Sequence, residues 1–588
     1  MLIKVIITLK KTSRSPLKMC NMLTAGLFFV LSAMAQAASP LSTGSFIDAF
    51  QLQSEVLPEP TGPTEPTLTI DHNNGQNNGQ NNGQELGHSL PFMLSKIKIS
   101  GNTIFSTDLL HALVADAEGQ SLTLNQVSLL AARITSYYQS HNYLLARALI
   151  PPQTIQAGMV RIAVMEAHYG KVSLDNQSQV KTGLLEETLY KLQPRQPINS
   201  ATLDTTLLLL NQIPGAVVTS GLSPGKAVGA ADLLVTAAPG PMVVGSISLE
   251  NVGSPQTGKT MASATISILN PLQQGDVVRV HAHGSGPLLN YQSMDYEFLL
   301  NGSGTRLGGA YADLRYRLGA PFVDLGAHGS AIVQSVWAKQ PIYLRSFGEV
   351  FYDAQVFGQV KFEISQLRDH IHASQSLTDR HLDSVALSLF GSARDRAFYG
   401  GVSQWSIGLT LGRLDFDNLD AKTVDALSGE TQGEFAKLKV NLNRHQALSA
   451  KNSVYLDVTG QWANTNLDSS QKLSATRPGA LRAYQTGVHA GDSGYAATLE
   501  FRHNMGDAWR GQWQAVGFFD SAEVVVNNKP WSPGSNSNVL QGAGLGLNFM
   551  GANQLTAKFH LVAPVGNTSN SATGTDAVSA WMSIKQGF

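Results

Sequence analysis

At 588 residues the chain is too long for one ordinary globular core, so several modules are expected. Charged residues are only 14% of the total and the formal net charge is -1, which leaves no basic surface for nucleic acid. A single cysteine, Cys20, excludes a disulfide framework, and 55 glycines suit many strands and turns better than a helical bundle.

Residues 1–37 read as a secretory signal peptide. Lys4, Lys10, Lys11, Arg14 and Lys18 precede an apolar stretch over 22–34, and Ala35-Gln36-Ala37 supplies a small-x-small cleavage site. Cys20 lies before the apolar stretch, which argues against a lipoprotein anchor. Residues 38–91 form a linker with Pro58, Pro60, Pro63 and Pro66, followed by the repeating Asn73-Asn74-Gly75-Gln76 unit. Such composition cannot bury enough apolar area to order itself. Within it, 45–57 could form a short helix.

A compact module spans 92–167. Ser95 to Ser100 alternates as a strand, and Gly101-Asn102 turns it. Thr123 followed by Gln126 is a capping-box pattern, after which Val127, Leu130, Ala131, Ile134 and Tyr138 recur at helical spacing. Strands over 145–150 and 160–166 complete a small α+β unit. A second such unit spans 168–240, starting with Val172 and Leu174. Leu203, Leu207 and Leu210 line its later helix, and its closing strand covers 232–236. Similar length and the same order of elements make the two units an internal repeat.

From 241 to 588 the period is two. Val454, Leu456, Val458 and Trp462 oppose Tyr455, Asp457, Thr459 and Gln461; Val278, Val280 and Ala282 oppose Arg279, His281 and His283. The chain closes on the same pattern, with Ala580, Met582, Ile584 and Phe588 on one face and Ser583 and Lys585 on the other. Lipid demands an apolar exterior while a wet lumen accepts charge, so these strands read as an outer-membrane β-barrel. About 350 residues at ~20 per strand and turn give about 16 antiparallel strands, an even number as such barrels require.

His281 and His283 share a strand face, but with no third ligand nearby they read as polar lumen filling. Gly542, Gly544 and Gly546 read as room on one face of a strand, not as a phosphate cradle, because no Lys-Ser/Thr follows. No catalytic residue, cofactor site or metal site is expected, and the chain reads as a non-enzyme.

Read in this light, the chain resembles the outer-membrane transporters of two-partner secretion, the type that secretes haemolysins and filamentous haemagglutinins, within the polypeptide-transport superfamily. Ile99-Ser100-Gly101-Asn102-Thr103, Tyr138, Tyr143, Ala146-Arg147 and Gly158 fit the first periplasmic POTRA domain of that family. Pro214-Gly215, Leu222-Ser223-Pro224-Gly225 and Asp232-Leu233 fit the second, and Glu250-Asn251-Val252-Gly253 is similar to the first barrel hairpin. The most specific element is Leu481-Arg482-Ala483-Tyr484, followed by Gly494 and Glu500. It resembles the superfamily's Val-Arg-Gly-(Phe/Tyr) loop, which folds back into the barrel. The resemblance implies that Arg482 pairs with Asp520 on an inner-wall strand carrying Phe518, with Ala483 and Ala522 standing where the family keeps glycine.

The resemblance further implies a pore that recognises an unfolded exoprotein in the periplasm through its POTRA domains and passes it to the cell surface, with a gating loop held by Arg482, Tyr484 and Asp520. An N-terminal helix plugging the lumen at rest would fall at 45–57. The alternatives are an insertase of the same superfamily, disfavoured by two rather than five POTRA units, and a passive porin, which has no use for periplasmic recognition domains. Its partners are expected to be the exoprotein and outer-membrane lipid, with no nucleic acid.

Overall fold

The structure, a computed structural model, describes residues 68–70, 90–346, 351–476, 479–487, 489–531, 533–566 and 577–588. The expected signal peptide, the 45–57 helix and most of the linker lie outside them. The first described strand, β1 (Leu68–Ile70), precedes a unit built of β2 (Phe92–Met93), β3 (Lys96–Ser100), α1 (Thr107–Ala112), β4 (Ser121–Leu122), α2 (Leu124–Ser140), β5 (Arg147–Leu149) and β6 (Met159–Met165).

Helix α2 begins where Thr123 and Gln126 satisfy each other's orphan amides. The Gln126 N–H donates to Thr123 Oγ1 and the Thr123 N–H donates to Gln126 Oε1 at 2.8 Å. Its apolar face, Val127, Leu130, Ala131, Ile134 and Tyr138, is buried against Ile97, Ile99, Val160 and Ile162 of the sheet. Tyr138 donates from its hydroxyl to Glu166, and the Thr103 and Ile104 amides donate to the same carboxylate, tying the helix to the turn after β3.

A second unit follows: β7 (His168–Asn176), α3 (Thr182–Leu189), α4 (Ser200–Asn211), β8 (Ala216–Pro224) and β9 (Ala230–Pro239). In the first unit β3 runs parallel to β6 and β5 antiparallel to it; in the second, β7 runs parallel to β9 and β8 antiparallel to it. The two units therefore share one topology. Strand β1 adds to the second sheet by parallel pairing of Leu68–Thr69–Ile70 with Ser220–Gly221–Leu222 of β8.

The leucine run of α4 serves two partners. Leu203, Leu207 and Leu210 enter the core of their own unit, whereas Leu208 and Leu209 pack on Leu344 and Phe357 of the barrel. Thr205 donates to the Leu344 carbonyl at 3.0 Å, and Arg345 reaches Asn142 of the first unit at 3.1 Å. Both units are thereby fastened to one end of the barrel.

The barrel strands are β10 (Val243–Glu250), β11 (Met261–Leu269), β12 (Val277–Gly284), β13 (Leu289–Leu299), β14 (Arg306–Arg317), β15 (Ala327–Ser346), β16 (Phe351–Ile371), β17 (Ser376–Asp395), β18 (Gly401–Phe416), β19 (Gly433–Ala447) and β20 (Asn452–Ala463). A helix, α5 (Leu419–Ala426), lies in the loop after β18. After the two-residue pair β21 (Leu473–Ser474) and β22 (Ala490–Gly491) come β23 (Ser493–Ala508), β24 (Gly511–Val525), β25 (Ser537–Gly551), β26 (Leu555–Pro564) and β27 (Ser579–Gly587). Among the described residues, β10–β20 and β23–β27 close into a single barrel of sixteen strands, with β27 returning to β10. Closure removes every sheet edge, which a lipid solvent requires.

Alternation sorts the wall as the period predicts. Val360, Phe362 and Ile364 of β16, Leu387 and Leu389 of β17, and Ile407, Leu409 and Leu411 of β18 are exposed on the outside. Phe398, Tyr399, Trp509 and Phe588 are exposed near the end where the two α/β units attach, the level at which aromatic side chains meet headgroups. The inner face departs from a uniformly polar lumen. Toward the opposite end, Leu289, Tyr291, Leu314, Tyr316, Leu367, Leu382 and Leu414 form a buried apolar cluster. Leu467, from the loop after β20, packs into the same cluster, so these inward side chains are covered by protein and not by water.

Burial raises the carboxyl of Asp204 on α4 to about 6, although nearby Arg345 works in the opposite direction. A raised carboxyl favours the folded junction below its unfolded value, and that contribution is lost as pH rises through about 6. Hydrogen-exchange protection of α4 should therefore decline between pH 5 and pH 7, and Asp204→Asn should flatten that dependence; a wild-type profile with no step would refute the assignment.

Candidate functional site

The loop over 464–492 leaves β20, turns back into the lumen and rejoins the wall at β23. Alternation on β24 sends Val516, Phe518, Asp520, Ala522 and Val524 to the interior, each buried. Opposite Asp520 on β23 stands Thr498, and opposite Phe518 stands Glu500, so two carboxylates and a ring share one patch of inner wall.

Arg482, at the loop tip, fills that patch. Its Nε and Nη2 donate to Asp520 Oδ2 and Oδ1 at 3.0 and 2.8 Å, a two-bond fork, and its backbone N–H donates to Oδ2 at 3.0 Å. Thr498 Oγ1 donates the fourth hydrogen bond to Asp520, also at 3.0 Å. Arg482 Nη1 donates to Glu500 at 2.7 Å, and the guanidinium lies 3.5 Å from the centroid of Phe518. Glu500 is shared with Arg502, whose Nε donates to it at 2.8 Å. The cluster is closed to water: Asp520 is 0% exposed, Glu500 6% and Arg482 8%. Such a pair is stable only because all four oxygens of Asp520 and Glu500 accept hydrogen bonds; isolated buried charges would not be.

The loop's other residues follow from this anchor. Leu481 is buried, Trp581 of the last strand donates its indole N–H to the Arg482 carbonyl, and the Tyr484 hydroxyl donates to the Gln541 carbonyl at 3.3 Å. Gly494, the second residue of β23, has φ +151, and a Cβ there would meet the Glu523 carbonyl oxygen at 2.2 Å, so only glycine permits this approach. Ala483 finds its room against β25, where Gly542 stands beside Asp520 on the neighbouring strand. A Cβ on Gly542 would lie 2.6 Å from that of Ala483, and Gly544 and Gly546 likewise leave space for Phe518 and His560. The methyl of Ala522 is fully buried in the same apolar cluster as Ala483, Leu481 and Tyr484.

Sequence reasoning missed the base of the loop. Arg380 of β17, 4% exposed, lies 2.8 Å from Asp369 and 2.7 Å from Asp468 of the loop. Asp492, 0% exposed, accepts from the Leu467 and Asn528 amides and pairs with Lys472 at 2.8 Å. Inward parity on β17 marks Arg380 as a lumen residue, but nothing local names its partner 88 positions away. His281 and His283 line the lumen beside Tyr291, with Thr265 bonded to His281 at 2.8 Å.

Arg482→Ala would leave Asp520 buried and unpaired, at about 3–5 kcal/mol. The expected result is rapid hydrogen exchange across 481–487 while the barrel keeps its heat-modifiable mobility on gels. Adding Asp520→Ala should cost much less than the sum of the two single changes; strict additivity would show that the two side chains do not act together.

Residues 92–167 match the family model for the POTRA domain, ShlB-type. Heme/hemopexin transporter protein HuxB of Haemophilus influenzae is 25% identical over 571 residues, covering 95% of this chain and 97% of that protein. Outer membrane transporter CdiB of Dickeya dadantii is 21% identical over 433 residues, 72% of this chain and 73% of its own length. Among solved structures, CdiB from Escherichia coli has the same fold, with TM-score 0.70 at 18% identity over 93% of this chain and 99% of that one. The chain is thus homologous to outer-membrane transporters and folds as they do.

Proposed function

We propose, from the premise that this chain is an outer-membrane transporter homologous to those of two-partner secretion, that it exports one large exoprotein to the cell surface. The barrel sits in the outer membrane with the POTRA-bearing end in the periplasm. The observation that carries the reading is the Arg482–Asp520 anchor of a loop inside a closed barrel whose periplasmic end is fronted by two α/β units.

In this reading residues 92–167 and 168–240 are both POTRA domains, and the unfolded partner adds an extended segment to one of their sheets by edge pairing. The edge of β8 already accepts a strand, β1, which supports pairing there and makes β1 a competitor for the incoming segment. The partner then threads the lumen. Arg482, Asp520 and Glu500 hold the gating loop, Tyr484 and Leu481 seat its tip, and Phe518 stacks on the guanidinium. Gly494 lets the loop rejoin the wall. No nucleotide motif occurs in the sequence, so folding of the partner outside the cell supplies the direction of movement.

The decisive experiment compares the culture medium with and without this protein. One large polypeptide that disappears from the medium, with other outer-membrane proteins at normal levels, is the expected result. Broad loss of outer-membrane barrels instead would assign the chain to barrel assembly. Arg482→Ala should lower secretion of that polypeptide at least tenfold while barrel levels in the membrane stay constant; unchanged secretion would sink the gating role.

A second measurement addresses the sheet edge. Adjacent amides of a strand point in opposite directions, so Leu68→Pro with Thr69→Pro removes whichever bond faces β8. The partner's recognition segment should then bind several-fold tighter to the full-length transporter. An unchanged affinity would move the docking edge elsewhere.

A further inference from the structure

Three imidazoles meet at the outer rim of the barrel, far from the lumen loop. His328 opens β15 and His370 lies near the end of β16, and the ladder pairs them directly across the two strands. His372 follows in the single 3-10 turn His372–Ser374 that leads from β16 into β17. The one-sided alternation of β16 puts His370 on the same outward face as Val360, Phe362 and Ile364, at the end opposite the POTRA units. His328 shares that face as the cross-strand partner of His370. The cluster therefore stands on the external surface, above the apolar band.

Its geometry is that of a donor set. The three ligand nitrogens lie within 4.8 Å of one another, and the ring centroids of His370 and His372 are 4.5 Å apart. His328 Nδ1 lies 3.1 Å from the Gly326 carbonyl oxygen, so a proton on Nδ1 is donated there and the lone pair falls on Nε2. A backbone carbonyl fixing the tautomer in this way is the usual companion of a metal-bound imidazole. Two rim turns bring the rings together. The turn Val323–Leu325 ends at Gly326, whose φ of 55 is left-handed, and the second turn ends at Gln375, with φ 51. A Cβ on Gly326 would lie 2.9 Å from that of His372, so the absence of a side chain at 326 is what lets His372 seat against it.

We propose that His328, His370 and His372 form a binding site for a divalent first-row transition metal of the kind that prefers imidazole: zinc, copper or nickel. Three neutral nitrogens at metal–ligand lengths of about 2.0–2.1 Å would stand about 3.3 Å apart in a tetrahedral set, so small side-chain rotations close the cluster. Binding a hydrated, six-coordinate ion in this set releases about five waters, three replaced by nitrogens and two lost as the ion becomes four-coordinate, and leaves one position to water. The ion would staple the outer ends of β15 and β16 to the turn that leads into β17, and no barrel backbone would have to move.

Zinc is the probe. Full-length protein in detergent should bind one zinc ion per chain by calorimetric titration, and His328→Ala, His370→Ala and His372→Ala should each weaken binding at least tenfold, with the triple variant showing none at this stoichiometry. His281→Ala with His283→Ala, in the lumen, should leave the titration unchanged. Heat-modifiable mobility on gels checks that every variant is folded. Zinc should also slow hydrogen exchange over 371–376 in the wild type, reversed by a chelator, and not in the triple variant. Equal zinc binding by the wild type and the folded triple variant, or no saturable binding by the wild type below about 100 µM zinc, would overturn the site.

Discussion

Every backbone amide and carbonyl inside a bilayer must find its partner within the protein, and this constraint shapes the rest of the chain. It forces β27 back onto β10, where five residue pairs from Ser246 with Gly587 to Glu250 with Ser583 close the seam. The neighbouring β10–β11 pair has eight, so the seam is the shorter ladder. Gly245 and Phe588 exchange two further backbone hydrogen bonds at 2.9 and 3.0 Å, extending the seam to the last residue. Once the wall is closed, period-two sequence has only two destinations, lipid or lumen, and the charged side chains that hold the inner loop fall on the lumen side.

The interior is where polar chemistry concentrates, and it is organised around loop anchoring. Burying Arg482 with Asp520 and Glu500 carries a desolvation cost that hydrophobic residues of similar volume would avoid. What such a network provides in return is a unique geometry: the fork of Arg482 fits one carboxylate in one orientation. The base of the loop repeats the device with Arg380, Asp468, Asp492 and Lys472. A segment held at its base and its tip by directional bonds, with Leu467 at the base seated in an apolar cluster, has discrete positions and not a continuum.

Much of this was legible from the residues. Strict alternation announced the barrel and its strand number, and the Thr123–Gln126 capping box announced α2 at its observed start. The Arg482–Asp520 juxtaposition came from a motif resemblance; alternation alone could place Asp520 inside but could not select its partner. What stayed hidden depended on distant pairing. Arg380 and Asp468 come together only through barrel closure, and the apolar patch around Leu314 and Leu367 breaks the expectation of a wet inner wall because a loop covers it. Likewise His328 is 42 positions from His370 in the chain, and only the ladder register makes them neighbours.

The reciprocal fit of Ala483 and Gly542 has an evolutionary consequence. The methyl on the loop occupies the space that the missing side chain on β25 leaves, since a Cβ at 542 would stand 2.6 Å from it. The two positions therefore cannot drift independently. Starting from this sequence, a side chain at 542 is admissible only after position 483 has become glycine, whereas shrinking 483 first opens a small void that the fold tolerates. Descent along this lineage is thus one-way in its order of steps, a ratchet written into two small residues in contact, one on the loop and one on the wall.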